Sequence, residues 1–290
     1  MIIEQASEIK AMRVLAKYWY KEFSAYSLAE EAGITAPMAY KAIEKLAAKK
    51  MAIKEGSRIR IDFNSQLSYT FKLFYDAERL SELPEDIQYK IGSIFNILKS
   101  EYKYGLLGFI VFGSTASGET TEQSDLDILS IVKEKKEIDY RKKGLLNMGR
   151  INILEKQADE FENEYLLAHD LILNALMRGI IVFDGGIIRF LMEKPLPQPS
   201  DEIITQKRER LEKLRSRLFI SLKDKDYKEL TEQFKQYIIE KGRVLMLQKR
   251  IVPSSKEHIV SFLKKEEKGL HNLYKTADKK NIKRMVEENA

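Results

Sequence analysis

Residues 108–132 read GFIVFGSTASGETTEQSDLDILSIV, and the fold is decided there. The apolar run LGFIVF at 107–112 is followed at once by Gly113 and Ser114, the pattern of a buried strand opening into a small-residue turn. A second strand follows at 126–132, LDILSIV, with Asp127 its sole charge. Gly113 has no side chain, so the N–H groups around it can approach a phosphate closely. Ser114, Thr115 and Ser117 add hydroxyl donors. Ten residues then separate Ser114 from Asp125. Alternation along a strand places Asp125 and Asp127 on one face, with Leu126 pointing the other way into the core. Two carboxylates side by side repel, and are stable together mainly with a cation between them. Mg²⁺ binds through one or two carboxylates plus substrate phosphates. The layout suits metal-assisted phosphoryl chemistry.

Working outward, residues 66–103 read as two helices broken near Pro84. Leu67, Phe71 and Phe74 fall on one face of the first, and Ile87, Ile91, Ile94 and Ile97 on the second. A charged excursion, 133–149, precedes a third strand at 150–154 (RINIL). Residues 158–178 read as helix, and 179–183 as a strand ending in a turn at Gly185-Gly186. Toward the N-terminus, 7–20 has helical spacing. Ser27 caps a short helix over 28–32, Gly33 turns the chain, and Thr35 caps a second helix with Pro37 in its first turn. Met51–Ile53 and Arg58–Ile61 flank a turn at 55–57, a β-hairpin. Helix, short helix, Gly turn, helix, hairpin is the order of a winged helix-turn-helix. Its candidate DNA contacts are Tyr40, Lys41, Lys45 and Lys49 on the second helix of the motif and Arg58 and Arg60 on the wing. Beyond KPLPQPSD at 194–201, which holds three of the six prolines, the chain reads as helices only. Leu211, Leu214, Leu218 and Leu222, then Leu230, Phe234, Ile238 and Val244, suggest an antiparallel bundle.

The stretch FGSTASGETTEQSDLDIL resembles the DNA polymerase β-like nucleotidyltransferase superfamily, and within it the minimal nucleotidyltransferases of archaea and bacteria. The shared pattern is an apolar strand, Gly-Ser, about ten residues, then Asp-x-Asp in an apolar strand, here Gly113, Ser114, Asp125 and Asp127. KLFYDAERLSELP is similar to the helical lead-in of archaeal members fused to a winged helix, RGIIVFDG to the strand that closes the minimal domain, and RVLMLQKRIVPSSKEHIV to the helical HEPN-type domains that accompany it. The resemblance implies an α+β multidomain chain: a winged helix-turn-helix at 1–65, a nucleotidyltransferase α/β domain with a small mixed sheet at 66–193 (core 85–185), a Pro-rich linker at 194–200, and an all-α HEPN-like bundle at 201–290. It implies transfer of a nucleoside monophosphate from an NTP to a hydroxyl of a protein or RNA acceptor, tRNA included. Asp125 and Asp127 would be catalytic and hold Mg²⁺ or Mn²⁺, while Gly113, Ser114, Thr115 and Ser117 would bind the nucleotide.

One position departs from that pattern. The superfamily usually supplies a third carboxylate from the next strand, where this chain has Asn152. Glu155, three residues on, faces the other side unless a bulge re-aims it. The alternative is therefore a catalytically degenerate DNA-binding regulator that uses the same fold for nucleotide sensing or dimerisation. In the bundle, seven residues, Pro253 among them, separate Arg250 from His258. That is wider than the Arg-x(4–6)-His motif of HEPN ribonucleases and implies a non-nucleolytic bundle.

Composition bounds these readings. The chain has 290 residues, 44% hydrophobic and 32% charged, with no Cys. Disulfides, thiolate metal sites and Cys nucleophiles are excluded together. Three His without HExxH leave no zinc site. Mean hydropathy is −0.37, and no apolar run approaches the ~20 residues of a membrane span. With a charged N-terminus this implies a cytoplasmic protein, and the heavy Lys/Glu usage a thermophile, in keeping with the archaeal resemblance. Residues 1–65 hold 11 basic and 8 acidic residues, 201–290 hold 23 and 15, and the middle 16 and 21, so an acidic centre lies between basic ends. The expected partners are a nucleotide, DNA through the winged helix, a protein or tRNA acceptor and a second copy in a homodimer, but no membrane.

Overall fold

A computed structural model of the chain describes residues 5–118, 125–139, 150–224, 227–253, 256–277 and 282. The described residues form two compact units. The first runs to Asn163 and again from Asn174 to Leu196; the second comprises Glu164–Leu173 and the chain from Pro197. The last break, between Leu196 and Pro197, falls inside the stretch read as a Pro-rich linker. The excursion at 164–173 has no counterpart in the sequence reading.

The first unit opens with α1 (Ala6–Lys17), α2 (Ala25–Ala32) and α3 (Ala36–Ala48), then β1 (Ala52–Glu55) and β2 (Arg58–Ile61). The cap of α2 is Ser24 rather than the predicted Ser27. Ser27 N–H donates to Ser24 Oγ at 3.1 Å while Ser24 N–H donates to Ser27 Oγ at 2.9 Å, a reciprocal capping box. Gly33 ends α2 in the left-handed region at φ 60°, as a C-terminal glycine does. Strands β1 and β2 pair antiparallel around Gly56-Ser57. Leu28, Ile43, Leu46 and Ile59 fill the core of this part. Trp19, at the end of α1, donates its indole N–H to the Leu176 carbonyl at 3.0 Å.

Helices α4 (Gln66–Ser81) and α5 (Glu85–Tyr102) follow, with Pro84 as the N-cap of α5. The sheet comprises β3 (Leu106–Phe112), β4 (Leu126–Val132), β5 (Ile151–Gln157) and β6 (Ile180–Asp184), in the order β5-β4-β3-β6. β3 runs antiparallel to both neighbours, and β4 parallel to β5, so the small sheet is mixed as expected. Between the strands lie α6 (Gly113–Ser117), α7 (Ala158–Leu166) and α8 (Asp170–Arg178); α9 (Ile187–Met192) follows β6. Ala168, at positive φ, separates α7 from α8 where the sequence read one helix. Ile91, Ile94 and Leu98 of α5 pack on Phe109, Val111 and Ile128. The predicted Ile97 is only partly buried at this contact.

Helix α4 corrects one expectation. Leu67 and Phe74, read as part of its apolar face, are 37% and 58% exposed, while Ser68, Lys72 and Asp76 are buried. Its inward face is polar because its partners are main-chain groups. Ser68 Oγ donates to the Met51 carbonyl at 3.1 Å, and Asp76 Oδ2 accepts the Ile181 N–H at 3.0 Å.

The second unit contains α10 (Asp201–Asp224), α11 (Tyr227–Gln248), α12 (Lys256–Glu266) and α13 (Lys268–Lys275). Leu218, Leu230, Phe234, Ile238, Ile259 and Leu263 form its core. The side chain of Leu222 lies outside the described residues. A Cβ at Gly242 would come within 2.7 Å of Ile259 Cγ2, so α11 and α12 touch closely there. Beside this core lies a buried ionic group. Asp170 accepts from Lys207 Nζ at 2.6 Å and lies 3.0 Å from Arg243 Nε, and Glu240 accepts from Arg243 Nη1 at 2.9 Å. No described helix is long and apolar enough to cross a membrane.

Candidate functional site

Strand β3 delivers Phe112 to the sheet edge, where the chain turns into α6. Gly113 adopts φ 73°, which a side chain disfavours. The space beside it is also taken. A Cβ there would overlap Asp127 Oδ2 and lie 3.2 Å from Asp127 Cγ. The carboxylate of Asp127 therefore packs directly on the turn. Sheet register explains the contact, because Asp127 is the cross-strand partner of Phe112 on β4.

On its other side Asp127 is paired with Asn152 of β5. Asn152 Nδ2 donates to Asp127 Oδ1 at 3.0 Å. The position expected for a third carboxylate thus holds an amide, directly in register. Glu155 belongs to the opposite face, beside Ser130, and its Oε2 accepts from Tyr102 Oη. Burial, then the Glu155 hydrogen bond, push the Tyr102 hydroxyl up to about 12. No bulge interrupts the β4–β5 ladder to re-aim Glu155.

The Asp127 carboxyl is held above the ordinary carboxylate range. Partial burial is the main cause and the charge of Asp125 adds to it, while the Asn152 hydrogen bond works the other way. Asp125 itself is exposed at the mouth of β4. Among the described residues, no group of three or more His, Asp and Glu gathers to hold a metal. Two crowded carboxylates, one of them partly buried, still fit a divalent cation whose remaining ligands are phosphate oxygens and water.

The turn residues divide. Gly113 is exposed and Ser114 half-buried at the Asp127 edge. Thr115 is 1% exposed, so its side chain is buried beneath the turn. Ser117 is exposed but donates its hydroxyl to the Ser114 carbonyl at 3.1 Å, closing the turn on itself. Residues 119–124, the rest of the quoted motif, and 140–149 of the charged excursion lie outside the described residues.

The expected DNA contacts sit on α3 and β2, and most of their cations meet carboxylates. Lys45 and Lys49 approach the buried Glu8 at 3.3 and 2.8 Å. Arg58 pairs with Glu22 at 3.1 Å and Arg60 with Glu55 at 3.7 Å. Tyr40 stands edge-on to Tyr26, and Lys41 is exposed. In the second unit Arg250 donates to Asp201 Oδ1 at 2.6 Å. Sequence reading missed Arg79, which binds the Ala116 carbonyl on the turn at 2.7 Å. Its partners are main-chain oxygens distant in sequence, so no motif announces it.

Residues 91–197 match the family model of the nucleotidyltransferase domain. Both aspartates and the Gly113 turn lie inside the matched residues. A crystal structure of a nucleotidyltransferase-like protein from Exiguobacterium sibiricum 255-15 is similar, with 11% identity, 69% of this chain and 75% of that chain covered, and a TM-score of 0.36. No curated protein matches the chain.

Proposed function

We propose that this protein moves a nucleoside monophosphate from an NTP to a hydroxyl on a protein or RNA acceptor. The observation that carries the reading is the contact between the Asp127 carboxylate and Gly113, within the nucleotidyltransferase domain. It brings the acidic pair and the phosphate-sized turn to one sheet edge. The N–H groups around Gly113 and Ser114 would take phosphate oxygens, since Gly113 puts no side chain of its own between that backbone and a ligand. Asp125 and Asp127 would hold Mg²⁺ or Mn²⁺, which supplies charge neutralisation on the triphosphate. Asn152 keeps the Asp127 carboxylate oriented through its amide donor. In the transfer, the acceptor oxygen bonds to the α-phosphorus and the bond to the β-phosphate bridging oxygen breaks, releasing pyrophosphate. The acceptor proton passes to solvent. Positioning and electrostatics do most of the work in such reactions.

Residues 1–65, with three helices and a hairpin, we read as a winged helix-turn-helix, and 201–290 as a HEPN-like bundle. The carboxylate partners of Lys45, Lys49, Arg58 and Arg60 weigh against DNA binding as the principal role, because phosphate would have to displace them. The test is incubation with each labelled NTP, Mg²⁺ or Mn²⁺ and cell lysate. A labelled product sensitive to protease or RNase, absent with Asp127→Asn, is expected. No labelled product with any NTP and either metal would sink the reading.

A further inference from the structure

The Gly113–Ser117 turn is gripped by a residue outside residues 91–197. Arg79, on α4, donates from Nη2 to the carbonyls of Ala116 at 2.7 Å and Arg178 at 2.8 Å. From Nη1 it donates to the Gly179 carbonyl at 2.9 Å and to Asp76 Oδ1 at 3.2 Å. One planar fork thereby fixes three main-chain oxygens from two chain segments, which a single ammonium cannot reproduce. Arg79 is fixed in its turn. The buried Asp76 also accepts Lys72 Nζ at 2.6 and 2.8 Å and the Ile181 N–H at 3.0 Å.

The clasp bears on the site because α6 cannot hold itself. A five-residue helix has almost no internal ladder; here the Gly118 N–H and the Ser117 hydroxyl both close on the Ser114 carbonyl. Two external contacts define it instead. Asp127 lies against its first residue, Gly113, and Arg79 holds the carbonyl of Ala116 near its other end. A cation there also suits the negative end of the peptide dipoles. The Arg178 and Gly179 carbonyls lead directly into β6, beside β3, so the same guanidinium ties turn to sheet. Gly179 admits no side chain at this junction, since a Cβ would come within 2.6 Å of Ile110 Cγ2.

We infer that Arg79 is a positioning residue for the NTP: acting through Ala116, it holds the Gly113–Ser117 turn in the shape that receives phosphate. The inference rests on the nucleotidyltransferase reading above. A residue that only stabilised the fold would, when altered, lower the melting temperature and leave the affinity of the folded protein unchanged.

Binding of MgATP, MgGTP, MgCTP and MgUTP is measured by calorimetry on the full chain, with melting curves run in parallel. The variants are Arg79→Lys, Arg79→Gln and Tyr69→Phe. The last loosens the same helix elsewhere by removing the Tyr69 Oη bond to Asp184 Oδ2. Expected is at least a tenfold rise in Kd for folded Arg79→Lys or Arg79→Gln, with Tyr69→Phe binding as the parent does. A folded Arg79 variant binding within twofold of the parent overturns the inference. So does equal weakening in Tyr69→Phe, or failure of both Arg79 variants to fold, which would make the residue one of stability. A parent that binds none of the four NTPs overturns the nucleotide reading, and this inference with it.

Discussion

Asn152 and Asp127 face each other in register across two parallel strands, and the amide of one donates to the carboxylate of the other at 3.0 Å. That hydrogen bond stands where a third acidic side chain would meet the other two. An amide donor steadies a carboxylate without adding charge for a metal.

Asn152→Asp restores a third carboxylate at nearly constant volume. In metal-free buffer it is expected to melt below the parent, because three clustered carboxylates repel. Mg²⁺ or Mn²⁺ should raise its melting temperature more than the parent's, since the ion binds the folded site alone. Calorimetric melting with and without metal is the measurement. Identical metal responses in parent and variant would detach Asn152 from the site.

Asp127→Asn should act in two directions. At neutral pH without ligand it should be no less stable than the parent. The folded protein holds this carboxyl above its ordinary range, so above that pH the charge disfavours folding, and the amide removes it. With MgNTP at a hundredfold excess over Kd, the parent should gain about 2.7 kcal/mol by mass action. The variant should show no such gain. An equal ligand-induced shift in both proteins would remove Asp127 from the site.

Gly113→Ala places a methyl against Asp127 Oδ2 at a residue with φ 73°. The left-handed backbone alone costs about 1–3 kcal/mol for a residue with a side chain. Combining it with Asp127→Ala clears the overlap but leaves the backbone term. The double variant should therefore be less destabilised than the sum of the singles, as urea unfolding would show. Strict additivity would mean that the two residues do not touch.

Asp170→Asn tests the second unit. Burial alone would raise the Asp170 carboxyl, but Arg243 and Lys207 bring it below the ordinary range. A lowered folded value means stability that is present above the unfolded carboxylate range and lost as pH falls through the folded one. Removing the charge at pH 7 strands the buried Lys207 and leaves Arg243 with Glu240 alone, and should cost about 3–5 kcal/mol. The gap between parent and variant should narrow toward pH 3 in urea titrations. A gap independent of pH would contradict the ionic account.

Much of the sheet was legible because it is coded locally. LGFIVF and LDILSIV are unbroken apolar runs, and Gly113, Ser114, Asp125 and Asp127 sit at a telling spacing. Asn152 was singled out by the resemblance, as the position of the third carboxylate, while its register with Asp127 is a property of the strand pairing. What escaped was coded through space. The apolar spacing of Leu67, Phe71 and Phe74 named the wrong face of α4, because carbonyls and N–H groups of other segments draw its polar residues inward. Thr115 looked like its hydroxyl neighbours, and only the direction of the turn puts it in the core. The Lys45 and Lys49 partner, Glu8, lies on another helix and is invisible to a charge count.

The inside-out packing of α4 also shapes how the chain folds. Apolar surfaces gain from partial, misaligned contact, so helices that bury them can join early. Asp76 and Arg79 reach their distant main-chain partners only once the Ile181 N–H and the carbonyls of Ala116, Arg178 and Gly179 are in place, and until then desolvation works against them. We therefore expect docking of α4 to come late, on the native side of the folding barrier. Substitutions along its inner face would leave the refolding rate nearly unchanged and accelerate unfolding, so the lifetime of the folded molecule, more than the speed of its formation, is set by this helix.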